Sequence, residues 1–144
     1  MAKPAVLLIP GLGGRASLWD PQVAALSKNF LPLPVSHGGH RQVEDFAFSL
    51  LKFLDEKGVA RCHVVGQSMG GAIAQVLAED HPQRVERLVL SSTWSGPTPA
   101  FLASFQLRKT ILQELGPDAY ALHGALLGWP ADWLDAHPVF LETA

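Results

Sequence analysis

The sequence predicts an α/β fold: a partial parallel sheet of about four strands flanked by helices, then a helical C-terminal segment. Three observations carry this. Apolar periodicity switches back and forth between strand-like and helix-like as far as Ser92. The first strand-like run, AVLLI, is continuously apolar, as a strand buried on both faces should be. From Pro97 onward there is no strand-like run, only helix-like stretches broken by prolines and glycines.

Taken in order, Ala5–Ile9 is the first strand, and PGLGG ends it. Asp20-Pro21 is a helix start, an acid at the N-cap and proline at the first helical position, with Trp19, Val23, Leu26 and Phe30 following at helical spacing. Phe30–Val35 is a second strand, placed at a sheet edge by its two prolines. SHGGHR is a loop. Val43, Phe46, Ala47, Leu50 and Leu54 make one helical face between Val43 and Lys57, and Gly58 closes that helix. CHVVG is the third strand, Gly70–Asp80 a helix ended by His81-Pro82, and Arg87–Ser92 the fourth strand. Helix-like segments then cover roughly 100–115, 117–127 and 130–136. Two domains are expected, a sheet-and-helix core over residues 1–96 and a helical segment over 97–144.

Composition narrows the function classes. Only 17% of residues are charged and 48% are apolar, so a packed core is expected rather than disorder. A formal charge of −2 argues against a nucleic-acid partner, whose binding begins with a basic face. The lone Cys62 provides no internal disulfide and suits a reducing compartment. Met1-Ala-Lys-Pro leads into a short apolar run, not a secretory signal, and no stretch reaches the roughly 20 apolar residues of a membrane span. A cytoplasmic protein without membrane partners, metal or cofactor is expected.

The chemistry is concentrated in HVVGQSMGG, His63–Gly71. Gly66-Gln67-Ser68-Met69-Gly70 is a G-x-S-x-G motif between a strand and a helix, the setting of a nucleophile elbow. Side chains two positions either side of the serine would strike neighbouring backbone, hence the glycines. Such a turn aims the Met69 N–H and the start of the following helix at a substrate oxygen. A second oxyanion donor is expected from the glycine-rich turn IPGLGG, where the position falls on the Leu12 N–H. The plainer reading is a strand-to-helix bend without chemistry. A rival reading also exists: Gly11-x-Gly13-x-x-Ala16 satisfies a loose dinucleotide fingerprint. That fingerprint wants an acid ending the next strand, and Val35-Ser36 stands there, with no acid before Glu44.

Together these residues resemble the α/β-hydrolase superfamily. LLIPGLGG lies where that family has its oxyanion turn, with Pro10 in place of the usual histidine. SHGGHR lies where it has an Asp-x-Arg-Gly-His-Gly loop, without the acid. VVGQSMGGAIAQVLAEDHPQRVERLVLSST is similar to its nucleophile strand, elbow, helix and next strand. Within the superfamily the chain looks most like 3-oxoadipate enol-lactonases and aminoacrylate hydrolases, and GWPADWLDAHP is similar to cap helices of the latter. The resemblance implies a strand order of second, first, third, fourth, and a serine hydrolase of carboxylic esters, lactones or similar small acyl compounds.

In the family the triad acid and histidine come from loops after later strands. This chain resembles the first half of that pattern, so Ser68 is expected to lack both partners within the matching region. His37 and His40 follow the second strand on the correct rim. His63 and His81 fall at the other end, and His123 and His137 lie in the helical segment. The plainer reading of His37, His40, His123 and His137 is a solvated loop or cap histidine, and Asp132 and Asp135 read as helix-surface charges. Trp94, Phe101, Phe105 and Trp129 line an acyl pocket or simply pack between sheet and cap. The fourth strand would be an unpaired apolar edge, which favours a homo-oligomer or a complementing chain. Three functions follow: an active serine hydrolase, a split or truncated hydrolase without turnover of its own, and a small-ligand binding module on the same scaffold.

Overall fold

The computed structural model describes residues 3–143, so the reading of Met1 and Ala2 as no secretory signal falls partly outside the described residues. Four parallel strands, β1 (Ala5–Ile9), β2 (Leu31–Pro34), β3 (Cys62–Gln67) and β4 (Val85–Ser91), form one sheet in the order β2-β1-β3-β4. β1 is central and every one of its residues is buried, which its continuous apolar run requires. β2 is an edge. Leu31 N–H donates to the Pro4 carbonyl and Val35 N–H to that of Leu8. Alternate backbone nitrogens therefore face β1, and Pro32 and Pro34 turn their donor-less nitrogens outward, where no ladder bond is lost.

Helices α1 (Asp20–Leu26), α2 (Val43–Glu56) and α3 (Met69–Asp80) follow the first three strands. α2 and α3 pack together over one sheet face, joining Leu50 and Leu54 to Leu7, Ile9, Val64, Ile73 and Leu77 in the main core. Each such side chain contributes about 1.5–3 kcal/mol of burial. α2 ends as the sequence predicts. Gly58, at φ +67°, donates to the Asp55 carbonyl and Val59 to that of Leu54, a Schellman closure. α1 differs in one detail: it starts at Asp20, with Trp19 in the cap position and no side-chain cap bond, so Asp20 sits inside the first turn. Phe30 lies beyond the helix but still packs against the Val6, Leu8 and Trp19 cluster.

That second sheet face is only partly covered. On β3, Cys62, Val64 and Gly66 are buried while His63, Val65 and Gln67 are half-exposed. An open groove of about 430 Å³ runs along Val6, Val65, Val89, Leu26 and Phe30. β4 forms the other sheet edge, and Leu88, Val89 and Leu90 on it are exposed.

Backbone contacts divide the chain into two compact units, one running to Ser95 and the other starting at Gly96. The second consists of helices α4 (Pro99–Thr110), α5 (Gly116–Gly128), α6 (Ala131–Ala136) and α7 (Pro138–Thr143), with a π-helical turn at Ile111–Leu115. Thr98 caps α4 by accepting the Phe101 N–H at 3.2 Å. Arg108 reaches the Tyr120 hydroxyl at 2.9 Å and ties α4 to α5. α7 lies beyond the last helix-like segment read from the sequence, 130–136, and starts at Pro138, a residue that suits the first turn of a helix. No helix among the described residues is long and apolar enough to cross a membrane.

Candidate functional site

Ser68 occupies the turn between β3 and α3 with φ 54° and ψ −121°, a conformation that non-glycine residues rarely adopt. The surrounding chain holds it there. Ser68 N–H donates to the Ser91 carbonyl at 2.9 Å, and the Thr93 hydroxyl donates to the Ser68 carbonyl at 2.7 Å. The glycines are required by contact rather than by flexibility. A Cβ on Gly66 would overlap the Gly70 carbonyl, and one on Gly70 would overlap the carbonyls of Ile9 and Pro10.

The turn after β1 lies against the same serine. A Cβ on Gly11 would come within 3.2 Å of the Ser68 Cβ, so the two backbones pass at close quarters. Gln67 fixes that approach by accepting the Gly11 N–H on its Oε1 at 3.0 Å. Gly14 N–H closes the turn onto the Gly11 carbonyl at 2.9 Å. Leu12, between them, is exposed, and its N–H forms no hydrogen bond among the described residues. Met69 is the first residue of α3, so its N–H has no acceptor within the helix. Two unspent donors therefore belong to the segments that flank Ser68.

The Ser68 hydroxyl forms no hydrogen bond to an imidazole or carboxylate among the described residues. His37 is engaged elsewhere: its Nε2–H donates to the Pro10 carbonyl at 2.9 Å, and its ring stacks on Phe46 at 5.0 Å. His40 lies over the same Phe46 at 5.3 Å. His63 is within β3, edge-on to Phe30 at 5.8 Å, and its buried Nδ1 has no partner among the described residues. His81 ends α3. In the second unit, His137 donates from Nδ1 to the Trp133 carbonyl at 2.8 Å and stacks on that indole, while the buried Nδ1 of His123 has no partner among the described residues. Trp94 belongs to the first unit and Phe101, Phe105 and Trp129 to the second; Phe101 packs on Phe105 and Trp129 on Trp133.

Sequence reasoning missed Gln67, Thr93 and Ser36. Gln67 stands at the variable position of the motif, and only the strand's end-on approach to the first turn makes its amide useful. Ser36 stands where the dinucleotide fingerprint wants an acid, and its hydroxyl accepts the Ala16 N–H at 2.9 Å, bracing the first turn from the β2 side.

Residues 4–113 match the family model for the alpha/beta hydrolase fold, and the chain belongs to that family. It is 34% identical to a protein from Stutzerimonas stutzeri that carries the provisional name carbamate hydrolase RutD, over 93% of this chain and 54% of that one. Among solved structures, an enol-lactonase from Burkholderia xenovorans is 31% identical with a TM-score of 0.82, over 99% of this chain and 58% of that one. A hydrolase from Pseudomonas aeruginosa matches at a TM-score of 0.79 and 31% identity, over 96% of this chain and 56% of that one. The chain thus spans about half the length of the curated relatives it matches.

Proposed function

We propose that this chain is a serine hydrolase acting on a carboxylic ester, lactone or similar small acyl compound, with Ser68 as nucleophile. The observation that carries the proposal is the strained Ser68 turn, flanked by the two unspent N–H donors of Leu12 and Met69. In this reading Ser68 Oγ attacks the substrate carbonyl carbon as a base removes its proton. The oxygen, now an anion, is held by Leu12 and Met69, and collapse releases the alcohol to leave an acyl-serine that water hydrolyses. The enol-lactonase and carbamate-hydrolase relatives support a small acyl substrate. The reaction belongs, in this reading, to a reducing cytoplasmic setting that suits the lone Cys62.

The base is a histidine brought to Ser68 by a second copy or a complementing chain seated on the exposed β4 edge. The exposed, apolar Leu88–Leu90 stretch, paired to β3 on one side and to no strand on the other among the described residues, supports this. A second reading, a hydrolase scaffold without turnover of its own, is favoured by the absence of any imidazole bonded to Ser68 among the described residues. Hydrolysis of p-nitrophenyl acetate and of γ-butyrolactone separates them. The serine reading expects turnover that falls by more than about a hundredfold in Ser68→Ala. Equal rates in the variant, or none in a folded sample, would overturn it.

A further inference from the structure

We propose that Thr93 is a positioning residue for the oxyanion site, fixing the Met69 N–H through the planar peptide that this N–H shares with the Ser68 carbonyl. The proposal rests on the serine-hydrolase reading. In HVVGQSMGG the elbow accounts for Gly66 and Gly70, whose missing side chains let backbones meet. Gly71 lies outside that motif. A Cβ on Gly71 would come within 2.5 Å of both the Cβ and the Oγ1 of Thr93, so its bare Cα leaves the space that the threonine side chain fills. From there the Thr93 hydroxyl donates to the Ser68 carbonyl at 2.7 Å. The Gly71 N–H donates to the same oxygen at 2.9 Å.

That carbonyl matters because of what lies across its peptide bond. Ser68 C=O and Met69 N–H belong to one planar unit and point in opposite directions from it. A donor that holds the carbonyl therefore also holds the direction of the Met69 N–H. Hydrogen bonds accepted by the carbonyl also polarise the peptide, which makes its N–H a stronger donor. The peptide on the other side of the serine is held from the same strand, Ser68 N–H donating to the Ser91 carbonyl at 2.9 Å. β3 and β4 pair Gln67 with Ser91. One step further along stand Ser68 and Ser92, the two non-glycine residues with positive φ among the described residues, at 54° and 47°. Such backbone persists only where its surroundings over-determine it. Ser91 and Thr93, on either side of Ser92, thus hold the two peptides on either side of Ser68. Gln75 on α3 braces this clamp, its Nε2–H donating to the Trp94 carbonyl at 2.8 Å and to the Gly71 carbonyl at 3.2 Å.

Thr93→Val keeps the shape of the side chain and removes its donor, whereas Thr93→Ser keeps the donor. The test compares both with wild type in two readouts. One is the phosphonylation of Ser68 by a fluorophosphonate, split into the inactivation rate constant and the KI of the reagent. The other is the NMR shift of the Ser68 carbonyl carbon and of the Met69 amide. The inactivation rate constant should fall about tenfold or more in Thr93→Val, since a misdirected oxyanion donor loses part of what a missing one loses. KI should stay nearly unchanged, and Thr93→Ser should recover most of the rate. The Ser68 and Met69 resonances should move in Thr93→Val and stay near their wild-type positions in Thr93→Ser. Thr110→Val, which removes a hydroxyl bonded to the Gln106 carbonyl within α4, should change neither readout. Thr93→Ala serves with the same expectations should Thr93→Val lose the wild-type circular dichroism. A wild-type rate constant in Thr93→Val, a loss that Thr93→Ser shares in full, a loss confined to KI, or unmoved Ser68 and Met69 resonances would each overturn the positioning role. A wild-type Ser68 that takes no fluorophosphonate would refute the serine reading, and the two resonances then decide the clamp on their own. A reactive Ser68 indifferent to Thr93 would refute the positioning role alone.

Discussion

Gln67 Oε1 accepts the Gly11 N–H at 3.0 Å, so the residue before the serine holds the first strand's turn against the elbow. Gly11 is buried, and loss of this acceptor leaves a donor with no replacement. Gln67→Ala is expected to destabilise the protein by about 1–3 kcal/mol in urea unfolding. It should also slow the reaction of Ser68 with a fluorophosphonate, because the Leu12 donor sits in the released turn. Gln67→Glu, which keeps the acceptor, should recover most of the lost rate. A rate unchanged in Gln67→Ala would show that the tether does not position the turn.

The glycines separate by what surrounds them. Gly70→Ala drives a methyl group into the Ile9 and Pro10 carbonyls and is expected to cost about 3 kcal/mol or more. Gly124, inside α5, has open space where a Cβ would go, so Gly124→Ala should stabilise by about 0.5–1 kcal/mol. Thermal or urea midpoints check both signs, and a stabilised Gly70→Ala would contradict the close approach.

Cys62 is almost fully buried, and burial pushes its thiol above the ordinary value, against smaller opposing effects of the Leu7 backbone and Arg84. The folded thiol should therefore resist iodoacetamide at neutral pH and react only on unfolding. The sign for stability follows from the raised value. The neutral buried thiol favours the fold below the ordinary thiol pKa, and that contribution is lost as pH rises through the folded one. Rapid alkylation of native protein at pH 7 would contradict this.

The β4 edge predicts association. Light scattering at tens of micromolar should report a mass above the 15.5 kDa of one chain. Leu88→Lys with Leu90→Lys should reduce it, since charge on an edge opposes strand pairing. A monodisperse 15.5 kDa species at every concentration would argue against a second copy on this edge.

Much of the fold was legible because each local signal agreed with the global one. AVLLI is buried on both faces, the prolines of β2 mark an edge, and Gly58 closes α2 through φ +67°. The elbow was legible for the same reason: the glycine spacing states a backbone approach that only one side-chain-free residue permits. What escaped the sequence depends on side-chain reach between distant segments. Gln67 to Gly11 spans β3 and β1, Ser36 to Ala16 spans two loops, and the paired rings on Phe46 come from a loop with no periodicity to read. The engagement of His37 by the Pro10 carbonyl was hidden likewise, although both residues were singled out individually.

The central claim is that Ser68 is an activated nucleophile. Intact-mass analysis after fluorophosphonate treatment, beside a Ser68→Ala control, tests it most directly. One adduct per chain in the wild type and none in the control is the predicted result. A folded wild-type sample that gains no mass, at concentrations where the chain self-associates, would contradict it.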